Sequence, residues 1–410
     1  MGTLWILNHY AISPDMSGGT RHFDLARELV KKGHEVTIFA SGFDHSTRQY
    51  LKIKPGEKMR VEEYDGVRFV WVNTLPYYGN NWRRVLNMLS YGWRVLRCSR
   101  GLSKPDAVIG SSMHPFAALA GWWLARRYKA KFIFEVRDLW PQTAVDMGAM
   151  KKNSLPAKLL YAWEKFMCNK AEKIIVLLPY AKDYVASRGI SPEKVFWLPN
   201  GVNLERFDHP APLEEGSEVA EVFEQYRDKF KVVYTGAHGP ANGLEVIIHA
   251  ASIFQDRNLG IHFFLIGDGP EKKKLISMVR EKCLSNVSFL PPVPKIQVST
   301  VLSKADLLVH TIKKVEVLQY GMSPNKMYDY LASAKPIVTS IEAKNNSVEE
   351  ANAGIAVEPE NPEALAEAIV KIYELPEEKR IELGKNGRRY VEQFYDIKNL
   401  ATNLESLLGW

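Results

Sequence analysis

The chain has 410 residues, of which 46% are hydrophobic and 25% are charged, with a formal net charge of +7. This length exceeds what one hydrophobic core ordinarily covers, so two domains are expected. The three cysteines are odd in number and widely separated, which argues against a disulfide framework or a cysteine-rich zinc site. Because Met1–Tyr10 reads as a strand without a basic leader, and no apolar stretch approaches the length of a bilayer span, a cytoplasmic location is expected.

The two halves of the chain differ in charge. Residues 1–200 contain 30 Lys and Arg against 17 Asp and Glu, whereas the remaining residues contain 24 against 30. Such a difference is informative about binding partners rather than about the fold. The basic half is expected to face an anionic partner, for which nucleic acid and anionic lipid are the obvious candidates.

Strand and helix signals alternate along the first half. After an initial apolar run and the pair Gly18-Gly19, apolar residues recur at helical spacing from Phe23 to Val30, and Gly33 ends the pattern. Such alternation predicts a parallel sheet with helices on both faces. The strands of this half are predicted at Leu4–Leu7, Val36–Ala40, Val67–Val72, Ala107–Gly110, Lys131–Glu135 and Lys173–Leu177.

The same alternation restarts in the second half, so the predicted fold class is α/β with two Rossmann-like domains. The boundary is placed between residues 203 and 204, before the polar, acidic segment Pro210–Glu221. The strands of this half are predicted at Lys231–Thr235, His262–Ile266, Val287–Leu290, Leu307–His310, Pro336–Thr339 and Gly354–Val357.

The segment Asn81–Gly101 combines aromatic, aliphatic and basic residues at helical spacing. One interpretation is an amphipathic helix that lies on an anionic membrane surface; the other is a core-facing helix with a solvated basic edge. Trp122-Trp123 with Arg126-Arg127 repeats the composition nearby. The apolar stripe comprises Trp82, Leu86, Leu89, Trp93 and Leu96, and the flanking arginines are Arg83, Arg94 and Arg97.

Two glycine loops follow the first predicted strand of each half. Gly18 and Gly19 allow close backbone approach to a phosphate, although a tight turn alone would also explain them. Gly236 and His238 lie in the loop after Lys231–Thr235, where ligands of open α/β sheets bind. Gly236 is therefore a candidate backbone contact for a diphosphate.

Other candidate residues also follow predicted strands. Arg137 and Asp138 form either a buried ion pair or a pair facing a cleft, with Asp138 near an acceptor hydroxyl or a donor sugar. His114 is either structural or part of an acceptor site. Asp268 is either a helix cap or a neighbour of a bound nucleotide.

The segment Ser323–Val338 is the most informative. Ser323 can cap a helix through its hydroxyl, with Pro324 at the first helical position. A helix N-terminus favours phosphate, and Lys326 adds a full positive charge beside it. Asp329 lies about one turn further along, where it can accept hydrogen bonds from sugar hydroxyls. The segment therefore predicts a sugar-nucleotide site.

This segment resembles the donor signature of the family-four retaining glycosyltransferases, Glu-x7-Glu followed by Ala-Gly-Lys-Pro-Val. Asp329 stands for the second acid, Ala334 for the glycine and Gly321 for the first acid. The Pro-x-Lys variant around Asn325 is similar to bacterial surface-polysaccharide enzymes, especially those that move N-acetylaminosugars. Further resemblances, in the same order as in that family, are Met16–Thr20, Glu135–Pro141 and Leu198–Val202.

The resemblance implies the GT-B fold, in which two Rossmann-like domains face a cleft and the C-terminal helix, at 393–410, crosses back onto the first domain. The domains would then be 1–203 with 393–410, and 204–392. It implies a UDP-sugar donor bound through the glycine loops and through Ser323, Asn325 and Asp329. It also implies that the base of the nucleotide is recognised around Leu290–Val293, with Val293 as the candidate contact.

The resemblance further implies the chemistry and the partners. The sugar would be transferred with retention to a hydroxyl of a lipid-diphosphate-linked saccharide, at the inner face of the cytoplasmic membrane, and no nucleic acid would be bound. Relatives often have a Lys-Gly pair where this chain has Asn242-Gly243, so Lys326 and His238 are expected to neutralise the diphosphate instead. Catalytic roles would fall on Asp138, Lys326, Arg137 and His114.

No cofactor or metal is expected, because the sequence contains no Asp-x-Asp pair to hold a divalent ion beside a sugar nucleotide. Two alternatives remain open. One is a UDP-N-acetylglucosamine epimerase of the same fold, which needs no acceptor. The other is a two-domain solute-binding protein.

Overall fold

The structure is a computed structural model, and it describes residues 1–79 and 81–410. Within these residues the strands form one sheet of eight and one of six. The first sheet contains β1 (Thr3–Leu7), β2 (Glu35–Ser41), β3 (Met59–Tyr64), β4 (Val67–Val72), β5 (Ala107–Ser111), β6 (Lys131–Val136), β7 (Lys173–Val176) and β8 (Val195–Trp197). The second contains β9 (Phe230–Thr235), β10 (Ile261–Ile266), β11 (Val287–Leu290), β12 (Leu307–Thr311), β13 (Ile337–Ser340) and β14 (Gly354–Val357).

Helices connect most of the strands and cover both sheets. In the first half they are α1 (Arg21–Lys31), α2 (Trp82–Cys98), α3 (Pro115–Tyr128), α4 (Gln142–Asp146), α5 (Leu155–Lys170), α6 (Ala181–Ser187) and α7 (Glu205–Asp208). In the second half they are α8 (Glu218–Gln225), α9 (Glu245–Asp256), α10 (Lys272–Glu281), α11 (Val298–Ser303), α12 (Asn325–Ala332), α13 (Ser347–Glu350), α14 (Pro362–Tyr373), α15 (Glu377–Phe394) and α16 (Ile397–Leu408).

The strand order identifies two doubly wound sheets. The first runs β3-β4-β2-β1-β5-β6-β7-β8 and the second β11-β10-β9-β12-β13-β14. Every paired strand is parallel to its neighbour except β3, which is antiparallel to β4. In such sheets ligands bind outside the carboxyl ends of the strands. The order therefore places the two glycine loops, after β1 and after β9, at binding edges.

The sequence pattern located the parallel core accurately and missed two edge strands. Each of the predicted strands is present, with ends within one residue of the prediction. The missed strand β3 is polar and only half-buried on alternate residues, so it lacks the continuous apolar run of a central strand. The missed strand β8 has only three residues.

Helix α16 returns to the first domain, as the resemblance implied. Leu400, Leu404 and Leu408 are buried in one cluster with Leu4 and Ile6 of β1. Because α16 follows the whole second domain in the chain, the hydrophobic core of the first domain is closed by a segment distant in sequence. The predicted boundary at 392 and 393 lies inside α15, and the exact domain limits stay a prediction.

The two domains touch at the carboxyl ends of their sheets. The Lys295 amide donates to the carbonyl of Met16, 3.3 Å away, and the Tyr180 amide donates to the carbonyl of Tyr320 at 3.1 Å. The Asn200 amide donates to Ser323 Oγ at 2.9 Å. The binding edges of both sheets therefore face one shared cleft.

None of the helices within the described residues is both long and apolar enough to cross a bilayer.

Candidate active site

Lys326 lies in the first turn of α12, facing the glycine loop after β9. Its Nζ donates to Tyr234 Oη at 2.6 Å and to Asn242 Oδ1 at 3.1 Å, and it lies 4.3 Å from the centre of the Tyr234 ring. Within the described residues, no carboxylate lies within ion-pair distance of this ammonium group. Its fixed neighbours are therefore neutral.

The surroundings of Lys326 make its charge sensitive to a ligand. The side chain is half-buried, and burial lowers the pKa of Lys326 from 10.5 to about 7. A buried cation without an anionic partner loses hydration that nothing replaces. A diphosphate at this position would provide the missing negative charge, which is what the sequence predicted for Lys326.

Two observations favour glycine at position 236. Its φ of +140° lies in a region that other residues rarely adopt. A β-carbon placed there would lie 2.8 Å from Lys326 Nζ. The absent side chain leaves the space in which Lys326 and a phosphate group can approach the backbone of this loop.

His238 does not carry a positive charge at neutral pH, contrary to the expectation that it helps to neutralise a diphosphate. Its ring is buried, and desolvation lowers its pKa to about 4, with the Lys272 ammonium acting in the same direction. Its backbone instead joins the two loops of this edge: its amide donates to the carbonyl of Asp268 at 2.8 Å. Any contribution of His238 to ligand binding is that of a neutral imidazole.

The loop after β10 contains the predicted nucleotide neighbour Asp268. Its exposed carboxylate accepts a hydrogen bond from the amide of Gly269 at 2.8 Å. Since α10 begins at Lys272 with Glu271 at the cap position, Asp268 does not cap that helix. Val293, predicted near the base, is partly buried against the core of the second domain.

Ser323 joins the domains instead of capping α12. The helix begins at Asn325, its cap position is Pro324, and no side chain caps it. The Ser323 hydroxyl accepts from the Asn200 amide at 2.9 Å and lies 3.1 Å from Tyr328 Oη. The predicted cap was therefore wrong: proline at the cap position displaces Ser323 by one residue, so that its hydroxyl turns toward the first domain.

Asp329 is buried on α12 and forms an ion pair with Lys295, which follows β11. Lys295 is also the residue whose amide reaches Met16 of the first domain. The carboxylate predicted to bind ribose is thus held by a cation that touches the opposite side of the cleft. Its role toward ribose stays a prediction.

The glycine loop after β1 meets α12 across the cleft. A β-carbon on Gly19 would lie 2.6 Å from Asn325 Nδ2, so a larger residue would displace the Asn325 side chain. Gly18 and Gly19 with Asn325 form one wall of a cavity of about 290 Å³. Arg137 and Asp138, at the end of β6, form part of another wall.

Arg137 and Asp138 face this cavity and are not paired with each other within ion-pair distance. The buried Nε of Arg137 has no hydrogen-bond partner among the described residues. Desolvation by the cleft walls raises the pKa of the Asp138 carboxyl, and the charge of Arg137 opposes that rise. The Asp138 side chain is nevertheless exposed on the side of the cleft. Of the two interpretations of this pair, the geometry therefore favours the cleft-facing one.

A buried polar network, which the sequence analysis did not assign to the site, lies behind these residues. Glu135 binds Arg21 Nε at 3.1 Å and His22 Nε2 at 2.6 Å, and it accepts from Ser111 Oγ at 2.7 Å. Burial opposes ionisation of Glu135, but the contacts with His22 and Arg21 prevail and hold its pKa well below its usual range, while burial also lowers the pKa of His22. In the sequence, the feature that could have revealed this network is the single acid near the end of the apolar run 131–136.

This network fixes the position of the cavity wall. Arg21 also donates to the carbonyl of Leu198, 2.8 Å away, in the segment that leads to the second domain. Ser112 accepts from the Arg137 amide through Oγ at 3.0 Å, and its own amide donates to the carbonyl of Glu135 at 2.8 Å. Glu135 is therefore a positioning residue beneath Arg137 and Asp138.

His114 lies one layer behind the wall and not on it. Its Nδ1 accepts from the Ala117 amide at 2.9 Å and so caps α3, and its ring stacks on His9 with centroids 4.5 Å apart. Burial lowers the pKa of His114 well below its usual value. Of the two interpretations of His114, the structural one fits this position, and it is His9 that lines the cavity.

The arrangement as a whole can hold an anion and exclude water. A lone lysine beside an open glycine backbone suits a diphosphate, and a carboxyl and a guanidinium face the same cleft from the opposite sheet. Within the described residues, no group of three or more His, Cys, Asp or Glu side chains is placed to hold a metal ion.

Two known glycosyltransferase families match the sequence of this chain, one in each domain. Residues 16–206 match Glycosyltransferase Family 4, and residues 229–375 match the Glycosyl transferases group 1 family. The chain is therefore a glycosyltransferase with a Family 4 first domain. Both glycine loops and α12 lie within the matched ranges.

Among related proteins, this glycosyltransferase is 25% identical to WcaI of Escherichia coli K12 over 95% of both chains. WcaI is named as a colanic acid biosynthesis glycosyl transferase. WbjE of Pseudomonas aeruginosa, named as a glycosyltransferase, is 23% identical over 60% of both chains.

Solved structures confirm the GT-B fold. The sucrose-phosphate synthase of Thermosynechococcus elongatus superposes with a TM-score of 0.73 at 18% identity, covering 99% of this chain and 98% of that one. Anabaena HepE, solved with UDP and glucose, superposes with a TM-score of 0.69 at 14% identity over the full length of both chains. WaaG, a lipopolysaccharide glycosyltransferase, gives a TM-score of 0.66 at 15% identity over 99% of both chains.

Proposed function

We propose that this glycosyltransferase transfers a sugar, in particular an N-acetylaminosugar, from a UDP-sugar to a hydroxyl of a lipid-diphosphate-linked saccharide. The observation that carries the proposal is the lone Lys326 at the start of α12, which faces the open backbone of Gly236 and lacks a carboxylate partner among the described residues. The name of WcaI supports a place in the synthesis of a surface polysaccharide. The HepE complex with UDP and glucose supports a uridine diphosphate donor.

In this reaction the protein mainly has to position the two substrates and stabilise the charge on the leaving phosphate. As the bond from the sugar to the diphosphate breaks, negative charge grows on the leaving phosphate, where Lys326 and the amides of the Gly236 loop would stabilise it. Asp138 and Arg137 would orient the acceptor hydroxyl on the opposite side of the cleft. We propose retention at the anomeric carbon and no requirement for a cofactor or metal.

The donor would bridge the domains. Asp329 would accept from the ribose hydroxyls, and Asn325 would lie beside Gly18 and Gly19 at the sugar end. The contact between Lys295 and Met16 already joins the two sides of the cleft. Closure around the donor would exclude water and so suppress hydrolysis.

The outer face of the first domain supports a peripheral membrane location on the cytoplasmic side. The residues predicted to form the stripe on α2 are mostly exposed: Trp82, Leu86, Leu89 and Trp93 are 66%, 39%, 42% and 59% exposed, whereas Leu96 packs on the core. The buried side of α2 consists of other residues, including Tyr91 and Val95. An exposed apolar stripe with a basic flank suits insertion into an anionic membrane surface.

The basic flank differs from the predicted one. Arg83 and Arg97 are exposed, and the Arg97 guanidinium lies 3.2 Å from the centre of the Trp93 ring. Arg94 was expected to join them, but it is half-buried and donates to Asn73 Oδ1 at 2.9 Å. Arg94 therefore belongs to the packing of α2 on the loop after β4.

The function is tested by incubating the purified chain with a panel of UDP-sugars and a prenyl diphosphate monosaccharide, with and without a chelator. We expect one donor to yield a disaccharide product whose new linkage keeps the anomeric configuration of the donor, by proton NMR, and the chelator to leave the yield unchanged. Epimerised UDP-sugar without any acceptor product would establish the epimerase alternative. Sugar binding without either product would favour a solute-binding protein.

A further inference from the structure

Two acceptors that belong to other elements hold the side chain of Lys326 in place. Its Nζ donates to the phenol oxygen of Tyr234, near the end of β9, at 2.6 Å, and to the amide oxygen of Asn242 at 3.1 Å. The Tyr234 side chain is fully buried, and the ammonium group also lies over its ring. The position of Lys326 is therefore set from the glycine-loop side of the cleft and not by α12 alone.

The carbonyl of Ala237 orients both acceptors. It accepts from Tyr234 Oη at 2.8 Å and from Asn242 Nδ2 at 2.9 Å. This bond uses the single hydroxyl proton of Tyr234, so toward Lys326 the phenol can only accept. The amide of Asn242 is likewise turned so that its oxygen meets the ammonium group. Both side chains are thus fixed as neutral acceptors of a charged donor.

This arrangement leaves one N–H of Lys326 unused. A lysine ammonium group has three donors, and the phenol and the amide take two of them. Among the described residues the third donor has no hydrogen-bond acceptor. The nitrogen that carries it lies beside the open backbone of Gly236, where a β-carbon would be 2.8 Å from Nζ. The unused donor is therefore available on the side from which a diphosphate would approach.

The other titratable groups around Lys326 are neutral or already bonded. Burial lowers the pKa of His238 and of His310 on β12, and the charge of Lys326 acts in the same direction on both. Burial also raises the pKa of Tyr234 and of Tyr330, so both phenols are neutral. The charged side chains on neighbouring elements have partners: Glu245 with Lys274 and Lys313, Asp329 with Lys295, and Lys272 with the carbonyl of Gly267.

We propose, resting on the function proposed above, that Tyr234 and Asn242 are positioning residues that hold the Lys326 ammonium group with its unused N–H toward the leaving phosphate. A neutral acceptor fixes a cation without cancelling its charge, so the charge stays available to the diphosphate. A hydrogen bond to the charged form also favours that form over neutral lysine. In this role Tyr234 and Asn242 act through Lys326 and not on the substrate.

The experiment measures UDP binding to the full chain by calorimetry at pH 7, in buffers of different ionisation enthalpy, which yields the affinity and the protons taken up. Tyr234→Phe removes the hydroxyl and keeps the buried ring, and Asn242→Ala removes the second acceptor. Each is also combined with Lys326→Met. The proton count is taken as the difference between each chain and its Lys326→Met counterpart, so that the ionisation of UDP itself cancels.

The matched controls remove the same kinds of group elsewhere. Tyr50→Phe removes a hydroxyl that donates to the carbonyl of Thr74 at 2.7 Å. Asn286→Ala removes an amide that donates to the carbonyl of Ala251 at 2.8 Å. Both controls should bind UDP, and take up protons, as the unaltered chain does.

The expected results follow from the pKa of about 7 for Lys326. At pH 7 the unaltered chain should take up about half a proton, because about half of the free lysine is neutral. Tyr234→Phe should lower that pKa by about one unit, raise the uptake to about 0.9 proton and weaken UDP binding about 5- to 20-fold. Asn242→Ala should change both quantities in the same direction and by less, since its bond is longer. In the Lys326→Met background neither change should weaken UDP binding further.

Three results would overturn this inference while leaving the proposed function standing. They are equal proton uptake in Tyr234→Phe and Tyr50→Phe, an equal loss of affinity with and without Lys326, which would show a structural role, and no difference in uptake between the unaltered chain and Lys326→Met. If circular dichroism shows that Tyr234→Phe does not fold, Asn242→Ala decides, and unchanged uptake in that variant overturns the inference. Failure of the unaltered chain to bind UDP overturns the proposed function and this inference with it.

Discussion

The two domains differ in how the buried charges at their binding edges are paired. In the first domain Glu135 is surrounded by Arg21, His22 and Ser111, so that the charges beneath the cleft neutralise one another. In the second domain the hydrogen-bond partners of Lys326 among the described residues are a phenol and an amide. A charge whose partners are built into the protein contributes to structure, whereas one whose partners are neutral is suited to an external anion.

Removal of Glu135 should have the largest effect on stability. Glu135→Gln leaves Arg21 and His22 buried without a carboxylate, which should cost about 3–5 kcal/mol of the free energy of unfolding. Urea denaturation followed by circular dichroism measures this loss. Glu172→Gln, an exposed acid just before β7, is the control and should change stability little. Equal losses in the two variants would contradict a central role for the network.

Removal of Lys326 should affect turnover instead of stability. Lys326→Ala should lower kcat about 10²- to 10³-fold and weaken donor binding less, because the charge it stabilises develops in the transition state. Steady-state kinetics at saturating donor measure both quantities. Lys304→Ala, which removes an exposed lysine after α11, should behave as the unaltered enzyme. An unchanged kcat for Lys326→Ala would exclude this role.

Asp329 tests whether a paired charge can also bind a ligand. Asp329→Asn should weaken UDP binding by about 1.5–3 kcal/mol, since an amide is a poorer partner for two ribose hydroxyls. Lys295→Gln removes only the cation of the pair and should preserve UDP affinity or improve it. Calorimetry with UDP distinguishes the two. Equal weakening in both variants would mean that Asp329 acts through Lys295 alone.

The basic flank of α2 should have a smaller effect. The double change Arg83→Gln and Arg97→Gln should weaken binding to vesicles containing anionic lipid by about 2 kcal/mol, at about 1 kcal/mol for each basic residue. Lys273→Gln with Lys282→Gln makes the same change in net charge on exposed residues of the second domain. Co-sedimentation should separate the two pairs, and the difference should shrink in high salt. No difference would assign the stripe to another partner.

The smallest expected effect, taken over one pH unit, is a change of up to about 1.4 kcal/mol in UDP binding. Lys326 has a pKa of about 7 in the free protein, and a diphosphate binds its protonated form. Above pH 7 binding must therefore take up a proton, so the affinity should fall by up to about tenfold for each pH unit until the pKa of the complex is reached. Calorimetry between pH 7.5 and 9.5 measures this slope, and Lys326→Met should abolish it. An equal slope in that variant would assign the proton to another group.

The sequence predicted the structural features that depend on local patterns of residues. The central strands were located because parallel strands buried on both faces are continuous apolar runs between helical segments. The positions of Lys326 at a helix start and of Gly236 in a loop after a strand were predicted because such segments have recognisable residues, and their roles toward a ligand stay predictions. Edge strand β3 was missed because its residues alternate between half-buried and exposed and are largely polar.

Properties that depend on packing could not be read from the chain. His238 follows a glycine loop, as a phosphate ligand would, but burial by the neighbouring loop makes it neutral. Ser323 has the sequence of a helix cap, but the approach of Asn200 redirects its hydroxyl. Two partners of Glu135, Arg21 and His22, lie more than 110 residues earlier, so no spacing rule connects them with Glu135.

The return of α16 has a consequence for biosynthesis. Leu4 and Ile6 of β1 precede the whole second domain in the chain, whereas the helix that covers them follows it. Until that helix is made, the first domain exposes an apolar groove, and an exposed groove of this kind invites aggregation or chaperone binding. The core of the first domain is therefore completed only after the second domain has been synthesised.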